Sequence, residues 1–101
     1  MRRGPLAVSH LREDVIGPAG SIRVAYAIPK RVGGAVVRNR LKRRLRAILE
    51  ELARDTDVVP TGAMLLSVGP ELVDRGPEEL RNDVRSLLEA LQRRRSAAEA
   101  R

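Results

Sequence analysis

Two stretches of the chain carry apolar residues at the spacing of an amphipathic α-helix. In residues 35–53 and again in residues 77–91, these positions fall on one side of a helix drawn at about 100° per residue. They are Val37, Leu41, Leu45, Ile48, Leu49 and Leu52 in the first stretch, and Leu80, Val84, Leu87, Leu88 and Leu91 in the second. Each predicted helix is therefore expected to bury one stripe against another element.

Three shorter stretches have the pattern of β-strands. Residues 22–28 alternate apolar with small or polar positions, and residues 5–11 do so more weakly. Residues 62–68 are apolar on both faces, which is typical of a strand in the middle of a covered sheet. Gly33 and Gly34 allow a sharp turn before the first helix. The pattern predicts one domain in residues 1–92 and a basic, flexible tail in residues 93–101.

The positive charge is confined to one part of this pattern. Residues 15–49 hold nine basic residues and no acid, whereas the rest of the chain holds eleven bases and thirteen acids. The central segment thus carries +9 and the remainder −2. A strongly basic central segment in a chain that is otherwise nearly neutral indicates a single face for binding a polyanion.

Composition excludes several other classes of function. The chain has no cysteine, so disulfides, thiol catalysis and zinc fingers are ruled out, and His10 is its only histidine. Nothing in the sequence has the spacing of a catalytic dyad or a metal cluster. No apolar run approaches the roughly 20 residues that span a bilayer, so we expect a cytoplasmic protein without a membrane partner. Tyr26 is the only aromatic residue, so at most one ring can stack on a base.

The basic helix admits three interpretations. A solvated charged face normally mixes the two signs, and this one does not. A membrane-surface helix would need its apolar stripe free to enter lipid, but here the stripe is needed to cover the sheet. Nucleic acid remains. A DNA-binding helix-turn-helix is the natural rival, but it is disfavoured because a strand, not a short helix, precedes the basic helix, so DNA is not expected.

One motif is more specific than charge alone. Arg38 and Arg40 lie two residues apart and diverge by about 200° around a helix, so they would contact different phosphates. Asn39 between them can donate and accept hydrogen bonds at once.

The wider context of this triplet has a distinctive order. Along the chain come Arg23-Val24, Tyr26, Lys30-Arg31, Gly33, Ala35-Val36, Arg38-Asn39-Arg40, Lys42-Arg43 and Arg46. This ordered set resembles the signature of the protein subunit of bacterial ribonuclease P, closely over residues 23–46 and more weakly, in hydrophobic pattern, to about residue 91.

The resemblance implies a fold and a role. The fold would be an α/β (α+β) two-layer sandwich, ribosomal protein S5 domain 2-like, with a small mixed sheet and the rare left-handed β-α-β crossover. The role would be that of a non-catalytic subunit of an endoribonuclease. The RNA subunit and its Mg²⁺ ions would hydrolyse the phosphodiester bond, and the protein would bind catalytic RNA and precursor tRNA during 5′-leader removal in tRNA maturation. The protein alone would hold no cofactor.

The resemblance also assigns residues. Those implied for RNA binding are Lys30, Arg31, Arg38, Asn39, Arg40, Lys42, Arg43 and Arg46. Tyr26 is as consistent with core packing as with a contact to the 5′ leader.

The sequence departs from the family at its start. Family members usually begin with an amphipathic helix whose aromatic side chains line a cleft for the leader, and this sequence starts near the first strand. We therefore expect poor discrimination between precursor and mature tRNA, and apolar surface exposed around Val8, Val24 or Ile28. The alternative function is that of a small ribosomal-type RNA-binding protein with no enzymatic role.

Overall fold

The computed structural model describes residues 2–11, 22–55 and 62–99. Its elements in chain order are strands β1 (Arg2–Arg3), β2 (Leu6–Leu11) and β3 (Ile22–Ala27), helix α1 (Ala35–Asp55), strand β4 (Gly62–Val68) and helix α2 (Pro77–Glu99). One-turn 3-10 helices at Lys30–Val32 and Pro70–Leu72 lead towards α1 and α2. The strands and helices predicted from the sequence are all present, and the two-residue strand β1 is an addition.

The four strands form one mixed sheet in the order β1-β2-β4-β3. Strand β2 pairs antiparallel with β4, and β3 pairs parallel with β4. Two parallel neighbours need a long connection between them, and α1 is the greater part of it. The predicted α+β fold with a small mixed sheet is confirmed, whereas the left hand of the crossover stays a prediction.

Both helices bury their apolar stripes in a single core on one face of the sheet. Along β4, Met64, Leu66 and Val68 are buried, and the residues between them are not. The core also contains four leucines of α1 and five apolar residues of α2, namely Leu41, Leu45, Leu49, Leu52, Leu80, Val84, Leu87, Leu88 and Leu91. The predicted stripes are thus the packing surfaces, with Ile48 half-buried at the margin. Val37 is the exception, since it is half-buried and lies outside the core.

Two expectations about exposure are wrong. Strand β4 is not covered on both faces by the described residues, since Leu65 is 42% exposed. Val8 is only 2% exposed, because it points to the helix-covered face, and Val24 and Ile28 are packed against the same core. The large apolar side chains that strands β3 and β4 expose are Ile22 and Leu65.

Helix α2 is longer than its apolar pattern predicts. The stripe ends at Leu91, which predicts a flexible tail from residue 93, yet the helix continues to Glu99. Residues 92–99 contain no glycine or proline and are mostly Arg, Ala, Gln and Glu, which are good helix formers. Local propensity therefore extends α2 beyond the point where packing ends.

The turn before α1 depends on Gly33. This residue has φ 154° and ψ −174°, a region that is essentially restricted to glycine. A Cβ at this position would also lie 2.8 Å from Cγ1 of Val37 in the first turn of α1. Gly34 has neither constraint, since a Cβ there would meet no atom within 4 Å.

We expect Gly33→Ala to lower the free energy of unfolding by about 1–3 kcal/mol, because it combines a strained backbone with a clash against Val37. Gly34→Ala is the matched control and should change it by less than about 1 kcal/mol. Urea unfolding followed by circular dichroism measures both. Equal effects of the two substitutions would show that the turn does not have this geometry.

Candidate nucleic-acid interface

The burial of the α1 leucine stripe determines where the basic side chains of the helix point. At about 100° per residue, the positions outside the stripe divide into a crest facing away from the core, a flank beside β3 and a flank beside α2. These positions are Asn39 and Arg43 on the crest, Lys42 and Arg46 on the β3 flank, and Arg40 and Arg44 on the α2 flank. We call this surface the basic face. All of its side chains except Arg44 are exposed.

No acid interrupts the basic face. The first fifteen residues of α1 contain none, and the first acids of the helix are Glu50 and Glu51. Lys30 and Arg31 add two exposed cations on the 3-10 turn that precedes the helix. The result is a surface of one sign along more than half of α1, which attracts a polyanion over a distance of about a Debye length.

The β3 flank combines charge with the only aromatic ring. The Lys42 ammonium nitrogen lies over the Tyr26 ring, 6.0 Å from its centroid, and Arg46 is close enough to the Tyr26 hydroxyl to affect its pKa. Burial raises the pKa of this hydroxyl, Arg46 opposes the shift, and Glu50 adds to it. Tyr26 packs against the core, so it lies on the helix-covered side of the sheet.

The α2 flank is partly used to hold the fold together. The guanidinium Nη2 of Arg44 donates to the backbone oxygen of Arg75 at 2.7 Å, and Arg81 of α2 forms an ion pair with Glu51 at 2.8 Å. These two contacts join α1 to the segment that precedes α2 and to α2 itself. The Arg44 guanidinium is therefore already used in a hydrogen bond within the protein, whereas Arg40 on the same flank is exposed.

Arg38 also uses part of its guanidinium in a hydrogen bond within the protein. Although its position in the triplet predicts a contact with phosphate, Arg38 is half-buried, and its Nε donates to the backbone oxygen of Gly33 at 3.2 Å. This bond fastens α1 to the turn that precedes it. Asn39 beside it is exposed, and its side chain has no hydrogen-bond partner among the described residues.

Arg75 is a residue that sequence reasoning missed. Its guanidinium forms two hydrogen bonds with the Asp83 carboxylate, at 2.9 and 3.0 Å, and an ion pair with Glu79 at 2.9 Å. The Asp83 hydrogen bond raises the pKa of Arg75. The i,i+4 spacing to Glu79, followed by an acid four residues later, was a detectable signal. Its contact with Arg44 was not detectable, because 31 residues separate the two.

The basic face has the chemistry of an anion-binding surface. Arg and Lys stay charged at neutral pH, and an Asn amide offers hydrogen bonds without ionising. Among the residues described, no three His, Cys, Asp or Glu side chains gather where they could hold a metal ion. In the same part of the chain, neither helix has the length and apolarity needed to cross a membrane. The structure therefore brings together on one exposed surface the predicted RNA-binding residues of α1 other than Arg38, which is half-buried.

Comparison with known proteins shows which proteins this chain resembles. Over 79 residues it is 42% identical to the ribonuclease P protein component of Beutenbergia cavernae, which covers 78% of this chain and 65% of that protein. Over 67 residues it is 45% identical to the same component from Thermus aquaticus, covering 66% of this chain and 38% of that protein. The chain thus spans less than two thirds of the length of these relatives.

Solved structures agree on the fold. The ribonuclease P protein of Staphylococcus aureus superposes with a TM-score of 0.73 at 16% identity, over 90% of this chain and 78% of that one. The protein from Thermotoga maritima gives a TM-score of 0.73 at 20% identity, over 89% and 80%. The family model described as Ribonuclease P matches residues 3–92, which include strands β2, β3 and β4 and both leucine stripes. The resemblance seen in residues 23–46 is therefore confirmed, and this chain belongs to the ribonuclease P protein family.

Proposed function

We propose that this chain acts as the protein subunit of ribonuclease P. It binds the catalytic RNA through the basic face of α1 and assists removal of the 5′ leader from precursor tRNA in the cytoplasm. The observation that carries the proposal is the exposed, acid-free surface around Asn39, which is formed by the same residues that carry the family resemblance.

The side chains of the basic face indicate which part of the reaction the protein would assist and which part the RNA subunit would carry out. The basic face offers cationic groups and one amide, which bind phosphates and form hydrogen bonds. In this proposal the RNA subunit and its Mg²⁺ ions carry out the hydrolysis. The protein lowers the repulsion between two RNA backbones and fixes their positions by hydrogen bonds. Arginine suits this work because its planar fork can contact a phosphate with two parallel N–H groups.

The arrangement on three sides of α1 supports contact with a folded RNA. Arg40 and Lys42 point to opposite flanks, with Arg43 on the crest between them, so one helix can meet phosphates of more than one strand. Most hydrogen bonds between proteins and nucleic acids go to the backbone and fix position, not sequence. Asn39 differs from the cations, because its amide has a donor group and an acceptor atom and therefore fits only a partner with the complementary pair.

Reconstitution tests the function directly. Mixed with a bacterial ribonuclease P RNA at low Mg²⁺, the chain should stimulate cleavage of precursor tRNA over the RNA alone, because added cations replace part of the required Mg²⁺. Gel analysis of the released 5′ leader measures this. RNA binding without any stimulation would contradict the proposal and favour the ribosomal-type alternative.

Salt dependence tests the basic face. With about four to six phosphate contacts, log affinity for RNA should fall against log salt with a slope of about −3 to −5. Replacing Arg40, Lys42 and Arg43 by Gln should reduce that slope by about 2–3 and leave the melting temperature nearly unchanged, since all three side chains are exposed. Filter binding at several salt concentrations gives the slope.

The matched control for this triple variant replaces Arg93 and Arg94 by Gln, because both are exposed bases on α2 outside the basic face. Their loss should leave the slope within error of the unmodified protein. An equal reduction per charge in both variants would mean that RNA is attracted by net charge and not by this face.

Asn39→Ala separates specific from non-specific contact. The amide adds little Coulomb attraction, so affinity for non-cognate RNA should hardly change. The complex with catalytic RNA should weaken by about 1–3 kcal/mol because a buried partner loses its hydrogen bond. Alanine is the better helix former, so the free energy of unfolding should not fall. A loss of stability would assign Asn39 to the fold instead.

A further inference from the structure

A groove lies on the α2 flank of α1, between the helix and the segment 73–77 that leads into α2. It encloses about 410 Å³. Its apolar lining comes from both walls and consists of Val37, Leu41, Val73 and Pro77. The charged side chains that line it are Arg40, Arg44, Asp74 and Arg75. An apolar lining with a few polar groups at defined positions, in a cavity of this size, is typical of small-ligand sites.

Two of these four charged side chains are already used within the protein. Arg44, on the α1 wall, donates to the backbone oxygen of Arg75 at 2.7 Å. The Arg75 guanidinium is bound in turn by the carboxylates of Asp83 and Glu79. These contacts join the two walls of the groove, so its width is set by the protein and does not depend on a ligand.

The other two charged side chains remain available to a ligand. Arg40 and Asp74 are exposed, they stand on opposite walls, and neither has a hydrogen-bond or ion-pair partner among the described residues. A free phosphate would be attracted by Arg40 and repelled by Asp74. A ligand that matches both must carry negative charge at one end and hydrogen-bond donors at the other.

Guanosine is the RNA nucleotide with these two properties. An ionised carboxylate only accepts hydrogen bonds, and its two oxygens can accept from two adjacent donors. On its Watson–Crick edge guanine presents such a pair, N1–H and the 2-amino group. Adenine and cytosine present a donor beside an acceptor, and uracil presents one donor between two acceptors. The carboxylate therefore pairs fully with guanine alone, and that edge is free only in an unpaired base.

We propose that this groove takes one unpaired guanosine nucleotide of the RNA partner, with its Watson–Crick edge on Asp74 and its phosphate on Arg40. The base lies against Pro77, which is exposed, and Val37, which is half-buried outside the core. The inference rests on the proposed function, and it adds that the α2 flank of α1 selects for a base, whereas the other cations of the basic face contact phosphates of any sequence.

Three pentaribonucleotides that differ in one base test the selection. UUGUU should bind about 5- to 20-fold more tightly than UUAUU, because adenine offers only one donor to the carboxylate. The pentamer with inosine at the centre should lie between them, since inosine keeps N1–H and lacks the 2-amino group. Anisotropy of the labelled pentamers gives the three affinities. Equal affinity for all three would overturn the proposal.

Variants locate the selection at Asp74. Asp74→Asn should move the preference from the guanine pentamer towards the adenine pentamer, because an amide places a donor beside an acceptor and so matches the adenine edge. Asp74 is exposed, so the substitution should leave the melting temperature unchanged. A guanine preference that persists in Asp74→Asn would show that the base lies elsewhere.

Two further variants serve as controls. Glu78→Gln removes the same charge from an exposed position in the first turn of α2, outside the lining of the groove, and should keep the guanine preference. A loss of preference in this variant equal to that in Asp74→Asn would assign the effect to net charge and overturn the proposal. Arg40→Gln should weaken binding of all three pentamers by the same factor, because it removes a contact with phosphate only.

Reconstitution keeps this inference distinct from the proposed function. If the chain stimulates precursor-tRNA cleavage and binds the three pentamers equally, the function stands and the guanosine site does not. If the chain gives no stimulation and still prefers the guanine pentamer, the site stands and the role in ribonuclease P does not.

Discussion

The structure depends on the burial of four leucines on one side of α1. Each large aliphatic side chain removed from water contributes about 1.5–3 kcal/mol. Repulsion between neighbouring solvated cations costs only a few tenths of a kcal/mol per pair. Packing therefore decides the rotation of the helix about its axis, and the basic residues occupy whatever directions are left. The basic face is a consequence of the core and does not need RNA to form.

Contacts at the two ends of α1 then fix its position. At the N-terminal end, Arg38 holds the glycine turn, and further along Arg44 and Glu51 connect to α2. These side chains are partly exposed, so each contact adds little to stability. Their effect is geometric: they keep the exposed cations at constant distances from one another and from Tyr26. Arg38 and Arg44 thus help to orient the exposed basic residues of the same helix.

Much of this arrangement could be predicted from the sequence, and the failures have physical causes. The helical spacing of the leucines predicted both packing stripes, and the lack of acids in α1 before Glu50 predicted the basic face. Nothing local distinguishes Arg44, which donates to a backbone oxygen, from Arg43, which faces water, because the partner lies 31 residues away. The burial of Val8 was missed because it depends on which face of the sheet the helices cover. Helix α2 extends beyond its apolar stripe because helix propensity alone stabilises its last turns.

The order of charges along α1 has a cost that RNA can remove. A helix is stabilised by acids near its N-terminus and bases near its C-terminus, because the aligned peptide dipoles leave partial positive charge at the start and negative charge at the end. Helix α2 follows this rule with Glu78 and Glu79 in its first turn. Helix α1 departs from it at its start, where the first turn has Arg38 and no acid, whereas Arg54 in its last turn follows the rule. Phosphates bound near the start of α1 would supply the missing anions, so the binding of RNA proposed above would be thermodynamically linked to the stability of the fold.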